Sequence, residues 1–371
     1  MATAATIDVE SLLKPCSESA PAGVDLRADV SPTSIYYRLK DARSGARAAE
    51  RRADSEGGIS GLLPEWQTIL TIAPKSLAET SKDLEVVAWY IEGLVRAQGY
   101  AGLRDGVRLA RGLVEQYWDS FFSLVDEDGL ATRLAPLAGL NGLGNEGTLI
   151  QPLGLVPVTK GSDETPLAVY HYDQARAIAS LPDADQRARR EAAGGVSMER
   201  FMRAVNESGG DFYISLLDDI DGGLAELTLL GTALYERAGR DAPSTVDITK
   251  VLTVARDTVG AFSADLVARA RAAAAQRLES GQEGEGAGAG TPGSGAIGGA
   301  MRGREEALRL LQQVAEYFRK NEPHSPISTS LDEMVRRARM PFTELLAELL
   351  PDASAWRSVL TSAGIKPPSN Q

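Results

Sequence analysis

The most regular hydrophobic pattern of the chain lies in Ser81-Lys-Asp-Leu-Glu-Val-Val-Ala-Trp-Tyr-Ile-Glu-Gly-Leu-Val-Arg-Ala-Gln-Gly99. Ser81 is placed to cap the first helical turn, and Gly99 stands where helices commonly end in a left-handed conformation. The pattern therefore predicts an amphipathic α-helix with one buried face. The apolar residues that share this face, at three- and four-residue spacing, are Leu84, Val87, Ala88, Ile91, Leu94 and Val95.

A second helical pattern follows after a break of a few residues. Its apolar face consists of Leu103, Val107, Ala110, Val114 and Tyr117. Two helices joined by so short a connection form a helical hairpin. The sequence thus predicts a hairpin with an aromatic end at Trp118, and it predicts Trp66, Trp89 and Trp118 as core anchors of the N-terminal region.

Helical patterns cover most of the remaining chain, which predicts a mainly α fold class with several helical domains. Pro74 predicts the end of the helix that begins at Pro64. Residues 149–157 are predicted to be extended, and residues 165–170 form a strand-like run. The other predicted helices span 9–13, 35–52, a segment from Trp118 to about Leu140, a helix beginning near Ser197, 212–238, 246–278, 304–320 and 341–350.

Composition divides the chain into four regions. Residues 280–300 are almost entirely Gly, Ala, Glu, Ser and Pro, which bury too little apolar area to fold, so a flexible linker is predicted there. Before it lie an N-terminal helical domain, residues 1–160, and a middle helical region, residues 161–279. After it lies a C-terminal helical module, residues 301–371.

The charge of the chain restricts its partners. Of 371 residues, 39 are Lys or Arg and 51 are Asp or Glu, so the net charge is −12. Because an acidic surface repels phosphate backbones and anionic lipid, we expect no nucleic-acid binding. The best local basic candidates, residues 187–190 and 336–339, are short and typical of solvated helix faces.

Cysteine usage and hydropathy predict a cytoplasmic protein. Cys16 is the single cysteine, which excludes an internal disulfide. Residues 1–8 have neither the basic start nor the apolar run of a secretory signal, and no apolar run approaches the roughly 20 residues of a membrane span. We therefore expect no direct membrane insertion.

Residues with obvious chemistry are sparse. Residues 142–147 and 293–298 match G-x-G-x-x-G, but that motif binds a dinucleotide only between a strand and a helix, and neither stretch has this context. With only His171 and His324, a metal site of three imidazoles is excluded. The sequence predicts no cofactor, no metal and no enzymatic activity. The alternative is a nucleotide-binding regulator or enzyme that uses the stretch from Gly142 to Gly147.

The C-terminal module has a helical face suited to self-association. Modules below about 70 residues bury little apolar area alone and commonly need oligomerisation for stability. The corner Glu322-Pro-His-Ser-Pro326 connects the first helix of the module to the next and shapes the surface there. The interaction residues predicted in this module are Leu308, Leu311, Val314 and Phe318 on the helical face, and Glu322, Pro323 and His324 in the corner.

An ordered set of short motifs resembles one family. Before the linker these are Pro21-Ala-Gly-Val-Asp-Leu-Arg27, Glu65-Trp66, Ser81-Lys-Asp-Leu84 with Trp89, Gly99 with Gly102-Leu103, Tyr117-Trp118-Asp119, Pro166-Leu167, 172–175 and Ala242-Pro-Ser244. After the linker they are 304–311, Tyr317-Phe-Arg319 and 322–326. The set resembles the ImpA N-terminal domain of TssA proteins from bacterial type VI secretion systems, and the C-terminal segment of the shorter branch of that family. The chain departs from the family pattern at 121–124 and at 330–334.

The resemblance implies a non-enzymatic assembly component that oligomerises and contacts baseplate and tail tube or sheath proteins. A milder alternative is a helical adaptor of the same architecture outside secretion. Lys82 and Asp83 are the polar pair within the best family motif. We expect their substitution to abolish partner binding if they are exposed, and folding if Asp83 caps the helix.

Overall fold

The computed structural model describes residues 2–56, 61–122, 129–142, 144–160, 165–279, 304–321, 326–340, and the single positions 345 and 348. In this part of the chain there are thirteen α-helices, two short 3-10 helices and no β-strand, which confirms the mainly α fold class. The contacts divide the chain into two units, Met1–Gly284 and Glu285–Gln371. The predicted linker, 280–300, lies outside the described residues.

Unit 1 contains eleven of the α-helices. They are α1 (Val9–Leu12), α2 (Ile35–Glu56), α3 (Pro64–Glu79), α4 (Leu84–Tyr117), α5 (Leu130–Asn141), α6 (Ile150–Gly154), α7 (Val169–Ala179), α8 (Ala184–Ala192), α9 (Met198–Ser208), α10 (Gly210–Ala238) and α11 (Val246–Glu279). Unit 2 contains α12 (Arg304–Asn321) and α13 (Ile327–Arg339), which pack against each other.

Helix α4 is the predicted hairpin. Its backbone is non-helical at Gly99, with φ 59° and ψ −135°, and the chain reverses there. The two arms then pack so closely that a Cβ atom at Gly102 would lie 2.3 Å from the Leu94 carbonyl oxygen, and one at Gly106 would lie 2.8 Å from Ile91 Cγ1. Glycine at these positions therefore allows backbone contact between the arms.

The α4 hairpin lies at the centre of unit 1, packed against α2, α3, α5 and α10. Trp66 and Trp89 are buried, and Trp118 packs partly buried against the same core. Helices α10 and α11 run antiparallel, since Gly210 at the start of α10 meets Leu266 near the end of α11. One hydrophobic core extends from Leu12 to Val267. Both sides of the predicted boundary at residue 160 contribute to it, and the division there stays a prediction.

Four expectations about local structure are wrong. The first turn of α4 is capped by Asp83 rather than by Ser81. Helix α3 continues past Pro74 to Glu79, because Ala73 and Leu77 bury the same face as Trp66. Residues 150–154 form α6 rather than an extended segment. The predicted strand at 165–170 does not form, because α7 begins at Val169 and only an isolated bridge pairs Ala168 with Pro157.

The start of α7 explains the missing strand. The Ala168 N–H donates to Nδ1 of His171 (2.9 Å), which satisfies the first turn of the helix. Only the preceding residues pair in an extended manner, with the Val158 N–H donating to the Leu167 carbonyl (2.7 Å). The helix predicted near Ser197 is α9, and the Ser197 side chain caps it. Helices α7 and α8, which precede it, were not predicted.

Candidate functional site

Two of the motifs that carry the family resemblance meet at the start of α4. The backbone of 21–27 runs against that of 80–83, and the Lys82 N–H donates to the Ala22 carbonyl (2.8 Å). Gly23 has a φ of +79°, and a Cβ atom there would lie 1.9 Å from the Thr80 carbonyl oxygen. Glycine is therefore required at position 23 both for its backbone conformation and for this close approach.

Asp83 caps α4 from a fully buried position. Its Oδ1 atom accepts hydrogen bonds from the N–H groups of Glu85 (2.9 Å) and Val86 (3.2 Å). Its Oδ2 atom accepts from Nη1 of Arg27 (2.7 Å), whose Nη2 atom reaches Glu85 (2.6 Å). Burial raises the pKa of the Asp83 carboxyl, and the bonds from Arg27 and Val86 oppose that rise.

Lys82 is also fully buried. Its ammonium donates to the carbonyls of Leu12 (2.8 Å) and Leu77 (2.5 Å), so it joins the end of α1 to α3. The same Nζ atom lies 5.7 Å from the ring centroid of Tyr117, which belongs to a third family motif. Burial lowers the pKa of the Lys82 ammonium, and nearby Cys16 opposes this. Lys82 and Asp83 thus have partners inside the fold. Of the two expected roles, partner binding and folding, this favours folding.

A second buried polar cluster gave no periodic signal in the sequence. Glu92 of α4 is fully buried and accepts both hydrogen bonds of Arg43 from α2 (2.9 and 2.7 Å). Beside it, Arg96 donates to Glu50 through Nε and Nη2, and its guanidinium carbon lies 4.1 Å from the ring centroid of Trp66. The only hint in the sequence was the set of arginines in α2, and it did not indicate which carboxylate would pair with Arg43.

A third cluster ties the first residues of the chain to α4 and α10. Thr6 donates to Asp105 through its N–H (2.6 Å) and hydroxyl (2.9 Å), and Thr3 donates to Asp219 through its N–H (2.9 Å). Arg104 lies between the two carboxylates and donates to both, to Asp105 at 2.7 Å and to Asp219 at 2.5 Å. The first residues therefore supply hydrogen-bond donors to two buried carboxylates, Asp105 and Asp219. No hydrophobic pattern in the sequence reveals these contacts.

The described residues around Gly142 and Gly147 bring the chain back against the end of α5, where the Thr148 N–H donates to the Gly139 carbonyl (3.0 Å). Helix α5 precedes this stretch and the five-residue helix α6 follows, so the strand and the long helix of a dinucleotide site do not flank it. A Cβ atom at Gly147 would lie 2.3 Å from the Asn141 carbonyl oxygen. The Oδ1 atom of Asn141 accepts from the N–H groups of Asp247 (2.9 Å) and Ile248 (3.0 Å) at the start of α11.

The cavity nearest these residues is small. It has a volume of about 20 Å³ and is lined mainly by leucine and isoleucine side chains beside Asn141. A space of this size holds about one water molecule. Among the described residues there is no group of three or more His, Cys, Asp or Glu side chains that could hold a metal ion. Over the same residues, no helix is both long and apolar enough to cross a membrane.

The predicted interaction residues on α12 differ in burial. Leu308 is buried, whereas Leu311, Val314 and Phe318 are half-buried along α12. Tyr317, on another side of α12, is 61% exposed and packs edge-on to Phe318. The predicted corner residues Glu322, Pro323 and His324 lie outside the described residues, as does most of the predicted helix at 341–350.

Comparisons with known proteins agree with the motifs of the N-terminal half. The family model described as ImpA, N-terminal, type VI secretion system matches residues 13–142. Type VI secretion system component TssA1 of Pseudomonas aeruginosa strain PAO1 is 25% identical over 353 residues, which cover 93% of this chain and 96% of that protein.

A solved structure has the same fold as much of the chain. It is the N-terminal domain, including the conserved ImpA_N region, of the TssA component of the type VI secretion system from Burkholderia cenocepacia. The match has a TM-score of 0.58 and 26% identity, and it covers 70% of this chain and 94% of that one. Residues 13–142 therefore carry the ImpA N-terminal region, and nearly the whole chain is similar to TssA components of type VI secretion systems.

Proposed function

We propose that this chain is a non-enzymatic assembly component of a type VI secretion system, which oligomerises and contacts baseplate and tail tube or sheath proteins in the cytoplasm. The observation that carries the proposal is the similarity to TssA1 along 93% of the chain, since it includes both units. The buried polar clusters of unit 1 agree with it, because among the described residues their hydrogen bonds join helices to one another.

In this proposal unit 2 supplies self-association. Leu311, Val314 and Phe318 are half-buried on α12, and Met334 on α13 is 54% exposed. Burying such side chains against a second copy gains about 25 cal/mol for each Å² of apolar surface removed from water. Tethering unit 1 to an assembled unit 2 would then raise the local concentration of unit 1 at its partners.

The test of self-association uses the full chain. We expect light scattering to give a mass several times that of one 39.4 kDa chain, and Leu311→Asp to lower it towards the single chain. Gln312→Asp is the matched control, since it adds the same charge at the next residue, which is exposed. A monomeric wild type, or equal masses for the two variants, would contradict this role of α12.

The test of the assembly role is made in cells of the source organism from which the gene has been deleted. We expect fluorescent sheath subunits to form no extended tails in these cells, and the wild-type gene to restore them. Co-purification followed by mass spectrometry should then recover baseplate and tube or sheath proteins. Normal tail assembly in the deletion strain would overturn the proposal.

A further inference from the structure

One face of α2 is strongly basic although the chain as a whole carries a net charge of −12. Lys40, Arg43, Arg47 and Arg51 are spaced three and four residues apart, which places them within about 80° of one another around the helix. Lys40 and Arg51 are exposed, and Arg43 and Arg47 are half-buried. The face is therefore accessible over four successive basic positions.

The carboxylates beside this face already have partners. Glu92 accepts both hydrogen bonds of Arg43, and Glu50 accepts from Arg96 and from the indole Nε1 of Trp66 (2.7 Å). Each of these acids is thus engaged by a neighbouring guanidinium. No further carboxylate among the described residues forms an ion pair with this face.

Arg47 and Arg51 are the two arginines of this face that have no carboxylate partner among the described residues. Within the described part of the chain, neither guanidinium makes a hydrogen bond or an ion pair, although Arg47 is half-buried. Burial lowers the pKa of Arg47, and the charges of Arg43, Arg96 and Arg51 lower it further, against the pull of Glu92. Among the described residues the Arg47 guanidinium therefore has three basic neighbours and no carboxylate within ion-pair distance.

The arrangement is unfavourable for the helix alone. Arg43, Arg47 and Arg51 are like charges four residues apart, and such pairs destabilise a helix. An anion placed against Arg47 and Arg51 would relieve that repulsion. Their spacing of four residues corresponds to a rise of about 6 Å along the helix.

We propose that the basic face of α2 binds an acidic segment of a partner protein, through two carboxylates about 6 Å apart that pair with Arg47 and Arg51. Arginine suits this role because its planar guanidinium binds a carboxylate through two parallel hydrogen bonds. The inference deepens the proposed function and rests on it only in taking the partner to be a component of the secretion system. The acidity of the rest of the chain would confine the segment to this face.

The test is made with the full chain and a fluorescein-labelled, alanine-rich helical peptide that carries glutamate at every fourth position. In a buffer of low ionic strength, we expect saturable binding by fluorescence anisotropy that weakens as salt is added. The same peptide with glutamine in place of glutamate should not bind. We expect Arg47→Gln and Arg51→Gln each to weaken binding at least about fivefold.

Arg38→Gln is the matched control. Arg38 is exposed on the same helix but about 160° away from Lys40, and its replacement changes the net charge by the same amount. It should leave the peptide affinity unchanged within about twofold. If Arg47→Gln unfolds the chain by circular dichroism, the exposed Arg51→Gln variant decides the question.

Three results would overturn the inference. The first is the absence of saturable binding up to millimolar peptide. The second is a loss of affinity in Arg38→Gln equal to that in Arg47→Gln and Arg51→Gln. The third is that an oligonucleotide of equal charge displaces the labelled peptide at a lower concentration than the unlabelled peptide does. Because the assay contains no secretion component other than this chain, its failure is separate from a failure of the assembly role. Normal tail assembly in a deletion strain, together with intact peptide binding, would refute only the assembly role.

Discussion

Arg27 donates a 2.7 Å hydrogen bond to Asp83 from 56 positions earlier in the chain. The bond joins two motifs of the ImpA N-terminal region and ends on the residue that caps α4, the central hairpin of unit 1. The motifs by which the family is recognised thus include a set of contacts inside the fold.

Replacement of Asp83 tests that conclusion. Asp83→Ala leaves the Arg27 guanidinium without its buried partner and removes the cap of α4. We expect the free energy of unfolding to decrease by about 3–5 kcal/mol, measured by urea denaturation with circular dichroism. Asp41→Ala, at an exposed position of α2, should change it by less than about 0.5 kcal/mol. Equal effects of the two substitutions would contradict the structural role of Asp83.

Lys82→Met tests the buried ammonium. The substitution keeps an unbranched side chain of similar length but leaves the carbonyls of Leu12 and Leu77 without their donor. We expect a loss of about 1–3 kcal/mol in the free energy of unfolding for each carbonyl left unpaired. Lys14→Met, at an exposed position, serves as the control. A Lys82→Met chain as stable as the control would show that the ammonium contributes no net stability.

Gly23→Ala tests the contact between 21–27 and the start of α4. The added methyl group would collide with the Thr80 carbonyl, and the positive φ disfavours alanine, so we expect a loss of at least about 2 kcal/mol. Gly129→Ala is the matched control, because Gly129 has a similar φ of +76° and no atom of the described residues lies within 4 Å of the position of a Cβ. Thermal unfolding of both variants separates the collision from the backbone cost. Equal losses would place the whole effect in the backbone conformation.

His171 predicts a dependence of stability on pH. Burial, and after it the charge of Arg200, lowers the pKa of His171 below its ordinary value of 6.5. The unfolded chain therefore takes up this proton at a higher pH than the folded chain does. The free energy of unfolding should decrease as the pH falls below 6.5, by at most about 1.4 kcal/mol per pH unit.

Urea titrations at several pH values between about 5 and 7.5 measure this slope. The window spans the unperturbed pKa of histidine and lies above that of the carboxylic acids. His171→Asn should lose the slope, whereas His324→Asn, which replaces the other histidine of the chain, should retain it. The same slope in His171→Asn and the wild type would assign the effect to other groups.

The sequence predicted those parts of the fold that depend on periodicity. The spacing of apolar residues in α4, the glycine at its reversal and the pairing of α10 with α11 all follow from local rules. Pro74 shows where such rules fail, because burial of Ala73 and Leu77 keeps α3 helical through a residue that usually ends a helix. The strand-like run at 165–170 failed for a similar reason, since the His171 side chain supplied an unexpected cap.

The polar contacts were beyond prediction from one sequence. The spacing of residues in α4 indicates that Glu92 is near a buried face, but nothing local indicates that Arg43, 49 positions earlier, is its partner. Lys82 and Asp83 were recognised as a pair, yet their carbonyl and guanidinium partners come from α1, α3 and residue 27. Such pairings depend on how helices are arranged in space, which hydrophobic patterns specify only coarsely.

The bond from Thr3 to Asp219 has a consequence for the order of synthesis. The two residues are 216 positions apart, so the beginning of the chain leaves the ribosome long before its acceptor has been made. At about 5–20 residues per second, the first segment waits roughly 10 to 40 s for this contact. During that interval α1 to α4 are already available to form the hairpin core. The bond from Thr3 therefore forms only after the hairpin core has been synthesised, so this contact is added to an interior that is already available.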